Sequence, residues 1–178
     1  MKFNFLLAIV VLMLGFSSCV DPNVNLSTDS SDGIKPIYIN SSLAKTINYE
    51  PPIDIIRLGK IYTKTPFIYV NELSKGVHVI DNTDPNNPNR IGFINIPGNQ
   101  DISIKGNYLY ANNMTDLVTI DITDLNNLQV VSRLENLYEE EELNYPVNYN
   151  GYFECVDESK GMVVGWETAF LTDPKCYR

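Results

Sequence analysis

The 178-residue sequence is short of positive charge, of histidine and of cysteine. Thirteen Lys and Arg stand against 22 Asp and Glu, a formal net charge of −9, and no window is basic. A phosphate backbone is held by clustered cations that release its counterions, so the composition argues against nucleic acid as a partner. There is one histidine, His78, and no Cys-x-x-Cys pair. Neither a structural zinc site nor a dithiol redox centre has the ligands it needs. Gly-x-Ser-x-Gly, His-Glu-x-x-His and phosphate-binding glycine loops are also missing, and with them the local signatures of serine hydrolases, zinc proteases and nucleotide enzymes. Carboxylates do cluster, at Glu139 to Glu142 and at Asp157-Glu158. Acid pairs run glycoside hydrolysis only at separations set by the fold, and an acid run in a loop reads first as solvated surface. No catalytic residue, metal or cofactor is expected.

What is present begins at the N-terminus, where Lys2 precedes an apolar run from Phe5 to Phe16. A bilayer span needs roughly 20 apolar residues, so this shorter run reads as an export leader. It closes on Gly15-Phe16-Ser17-Ser18-Cys19. Two small residues directly before a cysteine resemble the lipobox of bacterial lipoproteins, with Phe16 where that family usually carries an aliphatic residue. The resemblance implies a signal peptide over residues 1–18, cleavage before Cys19 and lipidation of Cys19. It also implies an outer-membrane anchor in the cell envelope, with the periplasmic or surface face left open. The other reading is a plain secretory leader with Cys19 incidental. Anionic headgroups would repel so acidic a domain, so its membrane contact should rest on acyl chains.

Residues 19–44 are rich in Asn, Ser, Asp, Thr and Pro and bury too little apolar surface to offset their ordering entropy. They are read as the lipidated cysteine and a tether, flexible over residues 20–33, with Ile37-Tyr38-Ile39 a short strand that docks on the domain. If Cys19 is consumed by lipid, Cys155 and Cys176 remain as an even pair in an oxidising compartment and are expected to form a disulfide; the alternative is two separate thiols.

The remaining domain, residues 45–178, contains an internal repeat. Residues 79–88 (VIDNTDPNNP) align with 119–128 (TIDITDLNNL) at an offset of 40, identical at six positions, and residues 67–71 align with 108–112 at an offset of 41. Alternating apolar residues between turn signals place strands at 55–58, 67–71, 77–81 and 90–96 in the first copy. In the second they fall at 101–105, 108–111, 117–121 and 130–134. Four antiparallel strands in about 40 residues is the signature of a propeller blade. Residues 76–85 and 101–110 resemble the LVIVD repeat, a β-propeller repeat common in bacterial surface and secreted proteins. The second copy departs from it at Leu125 and Leu128, where the family tends to have Pro.

The pattern breaks after Leu134. An acidic insertion follows, then a hairpin of residues 152–156 and 161–166 around 157–160, read as the middle of a degenerate third repeat over 145–178. The expected fold is all-β, a partial β-propeller-like stack of four-stranded antiparallel blades, with repeats at about 55–97 and 98–134 and about two and a half in all. Closed propellers typically have 4 to 8 blades, so the chain is a truncated family member, self-associates, or packs as an open stack.

Asp81, Asp84 and Asn86, repeated as Asp121, Asp124 and Asn126, offer oxygen ligands for a hard cation. They lack the glycine and distal glutamate of a calcium loop, while Asp and Asn are what turns require. They are read as turn formers and as candidate binding loops. His78 is expected to face solvent or a loop. Tyr62, Tyr69, Tyr108, Tyr110 and Trp166 could stack on sugars, although strand aromatics more often pack against one another. The leading function is a non-catalytic envelope lipoprotein for protein interaction or scaffolding, with the lipid anchor, a second copy or another envelope protein as partners. The alternatives are a surface carbohydrate-binding protein and a truncated part of a larger propeller hydrolase.

Overall fold

A computed structural model describes residues 30–138 and 143–178. Cys19, the leader, most of the tether and the acidic run at 139–142 lie outside the described residues. Among the described residues there are thirteen strands and no α-helix.

The described chain opens on β1 (Ser31–Ile39) and then builds a first sheet from β2 (Asn48–Glu50), β3 (Leu58–Lys64), β4 (Phe67–Glu72), β5 (Gly76–Asp81) and β6 (Asn89–Asn95). β3 to β6 form an antiparallel meander, and β2 is added beside β6 as a fifth strand. A second meander follows, β7 (Ile102–Lys105), β8 (Tyr108–Asn113), β9 (Asp116–Asp121) and β10 (Gln129–Leu134). Successive side chains in a strand point to opposite faces. Tyr69, Val77, Val79 and Ile94 therefore share one face of the first blade, and Ile102, Ile104, Leu109, Ala111, Val118 and Ile120 one face of the second. These faces pack together as a single buried core. The expected propeller-like stack is present as a pair of blades, and the sheets do not close into a ring.

The third sheet departs from the expected repeat. It consists of β12 (Met162–Leu171), β1, β11 (Tyr152–Phe153) and β13 (Cys176–Tyr177), in that order. The segments read as a hairpin are not neighbours: β1 lies between them, antiparallel to β12 from Ser31 to Ile39 and parallel to β11 at Ile34. Residues assigned to the tether thus supply a nine-residue strand, because β12 offers a long partner that the local composition of β1 does not reveal. The disulfide is present, joining Cys155 to Cys176 with Cα atoms 5.3 Å apart.

The first strand of the first blade is also displaced. Residues 55–58 were expected to form it, but β3 begins at Leu58. Residues 51–57 instead run from β2 at one edge of the sheet to β3 at the other, across the face opposite the core. Arg90 Nη1 donates to the Ile53 carbonyl at 2.8 Å, and the amides of Ile56 and Arg57 donate to Glu72. Under this cap lie Val70, Phe93, Glu72 and His78, all buried. The expectation for His78 is therefore corrected: the side chain is fully buried, with its Nε2 3.0 Å from Glu72 Oε2 and its ring 5.0 Å from that of Phe93.

Candidate functional site

The two blades each end in a tight turn, residues 73–75 and 114–115, and the third sheet stands over these turns. Ser74 and Met114, equivalent in the repeat, both take a left-handed conformation, with φ of 71° and 55°. Gly165 of β12 lies against Ser74 so closely that a Cβ added there would collide with its Oγ. Arg57 Nη1 donates to the Trp166 carbonyl at 2.8 Å. Between these contacts opens a cleft of about 1020 Å³, bounded by Ser74 and Lys75 of the first blade, Gln100 and Asn112 of the second, and Trp166 of the third sheet. Tyr145 and Tyr149 close it from the loop before β11.

Asn112 lines its floor, backed by two buried asparagines. Asn99, fully buried between the blades, donates through Nδ2 to the carbonyls of Asp101 at 3.0 Å and Asn112 at 2.9 Å. Asn71 donates to Asn99 and to the Gly76 carbonyl. Asn112, the repeat equivalent of Asn71, accepts the amides of Gln100 at 2.8 Å and Asp101 at 3.0 Å. Gln100 in turn donates to Ser74 Oγ at 3.2 Å. These hydrogen bonds tie the turn of the first blade to the start of the second, while Asn71 Oδ1, also buried, has no partner among the described residues. One wall is aromatic. Phe153, almost fully buried, meets Tyr145 edge-on at 6.3 Å and Trp166 edge-on at 5.5 Å.

Two buried acids flank the turns. Burial works to raise the Glu72 carboxyl, but its hydrogen bonds from His78 and the Arg57 and Ile56 amides outweigh it and hold the pKa below the ordinary carboxylate value. Asp116 follows the same logic: burial raises it, while the Asn136 amide, Arg133 and Lys45 prevail and lower it. Arg133 Nη1 sits 2.6 Å and Lys45 Nζ 3.2 Å from its Oδ2. Both acids are therefore ionised acceptors at neutral pH. At the cleft mouth Asp101 is bridged by Lys60 at 2.8 Å and Glu167 by Lys35 at 3.2 Å.

The loops singled out in the sequence lie elsewhere. β5 runs from Gly76 beside the cleft to Asp81 at the far rim, roughly 20 Å for a strand of this length. There Asp81 Oδ1 accepts the amide and hydroxyl of Thr83 at 2.9 and 2.6 Å, and Asp121 does the same for Thr123. Asp84 and Asp124 each accept an amide, from Asn86 and Asn126, at 3.0 Å. These are turn hydrogen bonds, as the turn reading requires. The hydroxyl and amide of Thr83 hold the Asp81 carboxyl below its ordinary pKa, as those of Thr123 do for Asp121.

Of the aromatics considered for stacking, Tyr69 belongs to the core, Tyr62 packs against it, and Tyr110 lines a small hollow on the outer face of the second blade. Tyr108 is exposed, and Trp166 reaches the cleft. The sequence reading missed Ser74, Gln100, Tyr145 and Tyr149. The one available signal was the concentration of tyrosine between 138 and 152.

Residues 98–135, the second blade with its preceding turn, match the LVIVD repeat family. No curated protein and no solved structure matches the chain.

Proposed function

We propose that the protein is a non-catalytic lipoprotein of the cell envelope, anchored in the outer membrane through Cys19, whose propeller-like domain binds a partner at the cleft between the blades and the third sheet. The cleft carries this reading. It has a volume at the upper end of ligand sites, about 300–1,000 Å³, and a polar floor beside an aromatic wall. A general acid needs a carboxyl whose pKa is raised towards neutrality. Glu72, the buried acid at this site, is lowered instead and already accepts from His78 and the Ile56 and Arg57 amides, so it does not serve as a general acid. The leader and the residues before Cys19 support the address, and the even cysteine pair suits it. A carbohydrate ligand is the second reading, favoured by Tyr145 and Trp166 standing on the same buried Phe153.

Two measurements test the proposal. Cys19→Ala should move the protein from the membrane to the soluble fraction; unchanged membrane association and mobility would remove the anchor. The soluble Cys19→Ala chain, screened on peptide and glycan arrays, should lose its ligand on Trp166→Ala and keep it on Asp84→Ala. Hydrolysis of an ester or glycan panel, abolished by the same Trp166→Ala change, would make the protein an enzyme.

A further inference from the structure

The end of the third sheet where β1 begins is fringed with exposed aromatics. Phe170 is 70%, Tyr177 63% and Tyr152 44% exposed. They come from three strands and meet at the start of β1. Asp32 pairs with Phe170 and Ser31 with Leu171, while Ile34 pairs with Phe153, placing Tyr152 beside Gly33, and Tyr152 pairs with Tyr177. Because alternate residues share a face, Phe170 lies on one side of the sheet with Asp32, and Tyr152 and Tyr177 lie on the other. The two tyrosine rings meet edge-on at 5.1 Å. The feature is a wedge with rings on both sides, held rigid in two ways. Gly151 and Arg178 exchange backbone hydrogen bonds of 2.9 and 3.1 Å, and the disulfide fixes Cys176 beside Tyr177.

Exposed rings so placed suit the boundary between lipid headgroups and acyl chains, where aromatic side chains concentrate in membrane-bound proteins. The charges nearby do not oppose it. The segments that carry the rings hold both signs, Asp32 and Asp173 with Lys175 and Arg178, although the chain as a whole carries −9. The wedge is also the point at which the anchor segment enters the domain. Eleven residues separate Cys19 from Ser31, a span of at most about 40 Å, so an anchor at Cys19 holds this end of the molecule within reach of the bilayer. We infer that Phe170, Tyr152 and Tyr177 form a membrane-docking wedge that seats the third sheet in the lipid interface beside the anchor. The inference rests on the lipoprotein reading for its geometry, and the two are separable by experiment.

Trp166 is the only tryptophan, so a Trp166→Phe background allows a single reporter to be moved. The full mature chain, purified from envelopes, is placed in phosphatidylcholine vesicles with brominated acyl chains. Its N-terminal peptide is weighed to read lipidation at Cys19. With the reporter at Phe170→Trp, emission should fall about twofold or more, as expected for a ring seated ~5–10 Å into the interface; with Pro85→Trp on the far rim it should not. A lipidated chain whose Phe170→Trp emission is as unquenched as that of Pro85→Trp overturns the wedge and leaves the anchor standing. A chain without lipid that still binds and is quenched at Phe170→Trp supports the wedge and removes the anchor. An unlipidated chain that ignores vesicles overturns both. As a second measure, the soluble Cys19→Ala chain should partition onto the vesicles about tenfold less on combined Phe170→Ser and Tyr177→Ser, from the apolar area removed. Unchanged partition counts against the wedge.

Discussion

Replacing Glu72 with Ala removes the acceptor on which the Ile56 amide at 3.1 Å, the Arg57 amide at 2.6 Å and His78 Nε2 at 3.0 Å converge. The loss falls unequally. The two amides belong to the cap of residues 51–57, largely exposed, and can turn to water once the cap lifts. His78 cannot: its ring is fully buried and its Nδ1 has no other partner among the described residues. Hydrogen bonds to a charged group contribute about 1.5–3 kcal/mol each, and leaving a buried polar group unsatisfied costs about 1–3 kcal/mol. With partial recovery at the amides, Glu72→Ala should destabilise the domain by about 3–5 kcal/mol, whereas Glu72→Gln, which keeps one acceptor and the shape, should cost about 1–3 kcal/mol. Urea unfolding of the soluble Cys19→Ala chain gives these values. Native-state hydrogen exchange gives the mechanism, because the Ile56 and Arg57 amides should lose protection ahead of those in β5. A double-mutant cycle with His78→Phe should return a coupling of about 1–3 kcal/mol. If Glu72→Ala costs under about 1 kcal/mol and the cap amides exchange as before, the carboxylate does not hold the cap and the argument fails.

Breaking the bridge between Cys155 and Cys176, 21 residues apart, with Cys155→Ser and Cys176→Ser together should cost about 3 kcal/mol by loop entropy; the Tm with and without reductant checks it, and equal values refute it. Asp116 has a depressed pKa in the folded state. Its stabilisation is therefore complete above its unfolded pKa, near 4, and is lost as pH falls through the lower folded value. Asp116→Asn should flatten the acid limb of a stability profile below about pH 4, and an unchanged limb would show that Asp116 does not set it.

The blades could be read from the sequence because what specifies them is local. Ile102 and Ile104, or Val77 and Val79, announce a buried face by alternation, and Asp81 and Asp121 announce turns through bonds to residues two places on. The failures share a cause, contact with residues far along the chain. Alternation sent His78 towards solvent, but its face of the sheet is roofed by residues 51–57, whose isoleucines imitate a strand. Of β1 only Ile37 to Ile39 reads as a strand and the rest as tether, because its partner β12 lies about 130 residues away. The cleft draws on all three sheets, so no segment carries its signature, and only Trp166 among its residues stood out beforehand.

The position of β1 between β11 and β12 orders the events of folding. Each blade pairs strands adjacent in sequence and can form as it is made, since local pairings close with little loop entropy. The third sheet joins residues 31–39 to residues 152–177, so β1 has no partner until those later residues have been synthesised. Until then β1 exposes Ile34, Ile37 and its backbone edges, the state most prone to aggregate. Its docking is a checkpoint on the intact chain, and a product cut short before β12 would carry two folded blades and an unpaired strand as a mark of incompleteness.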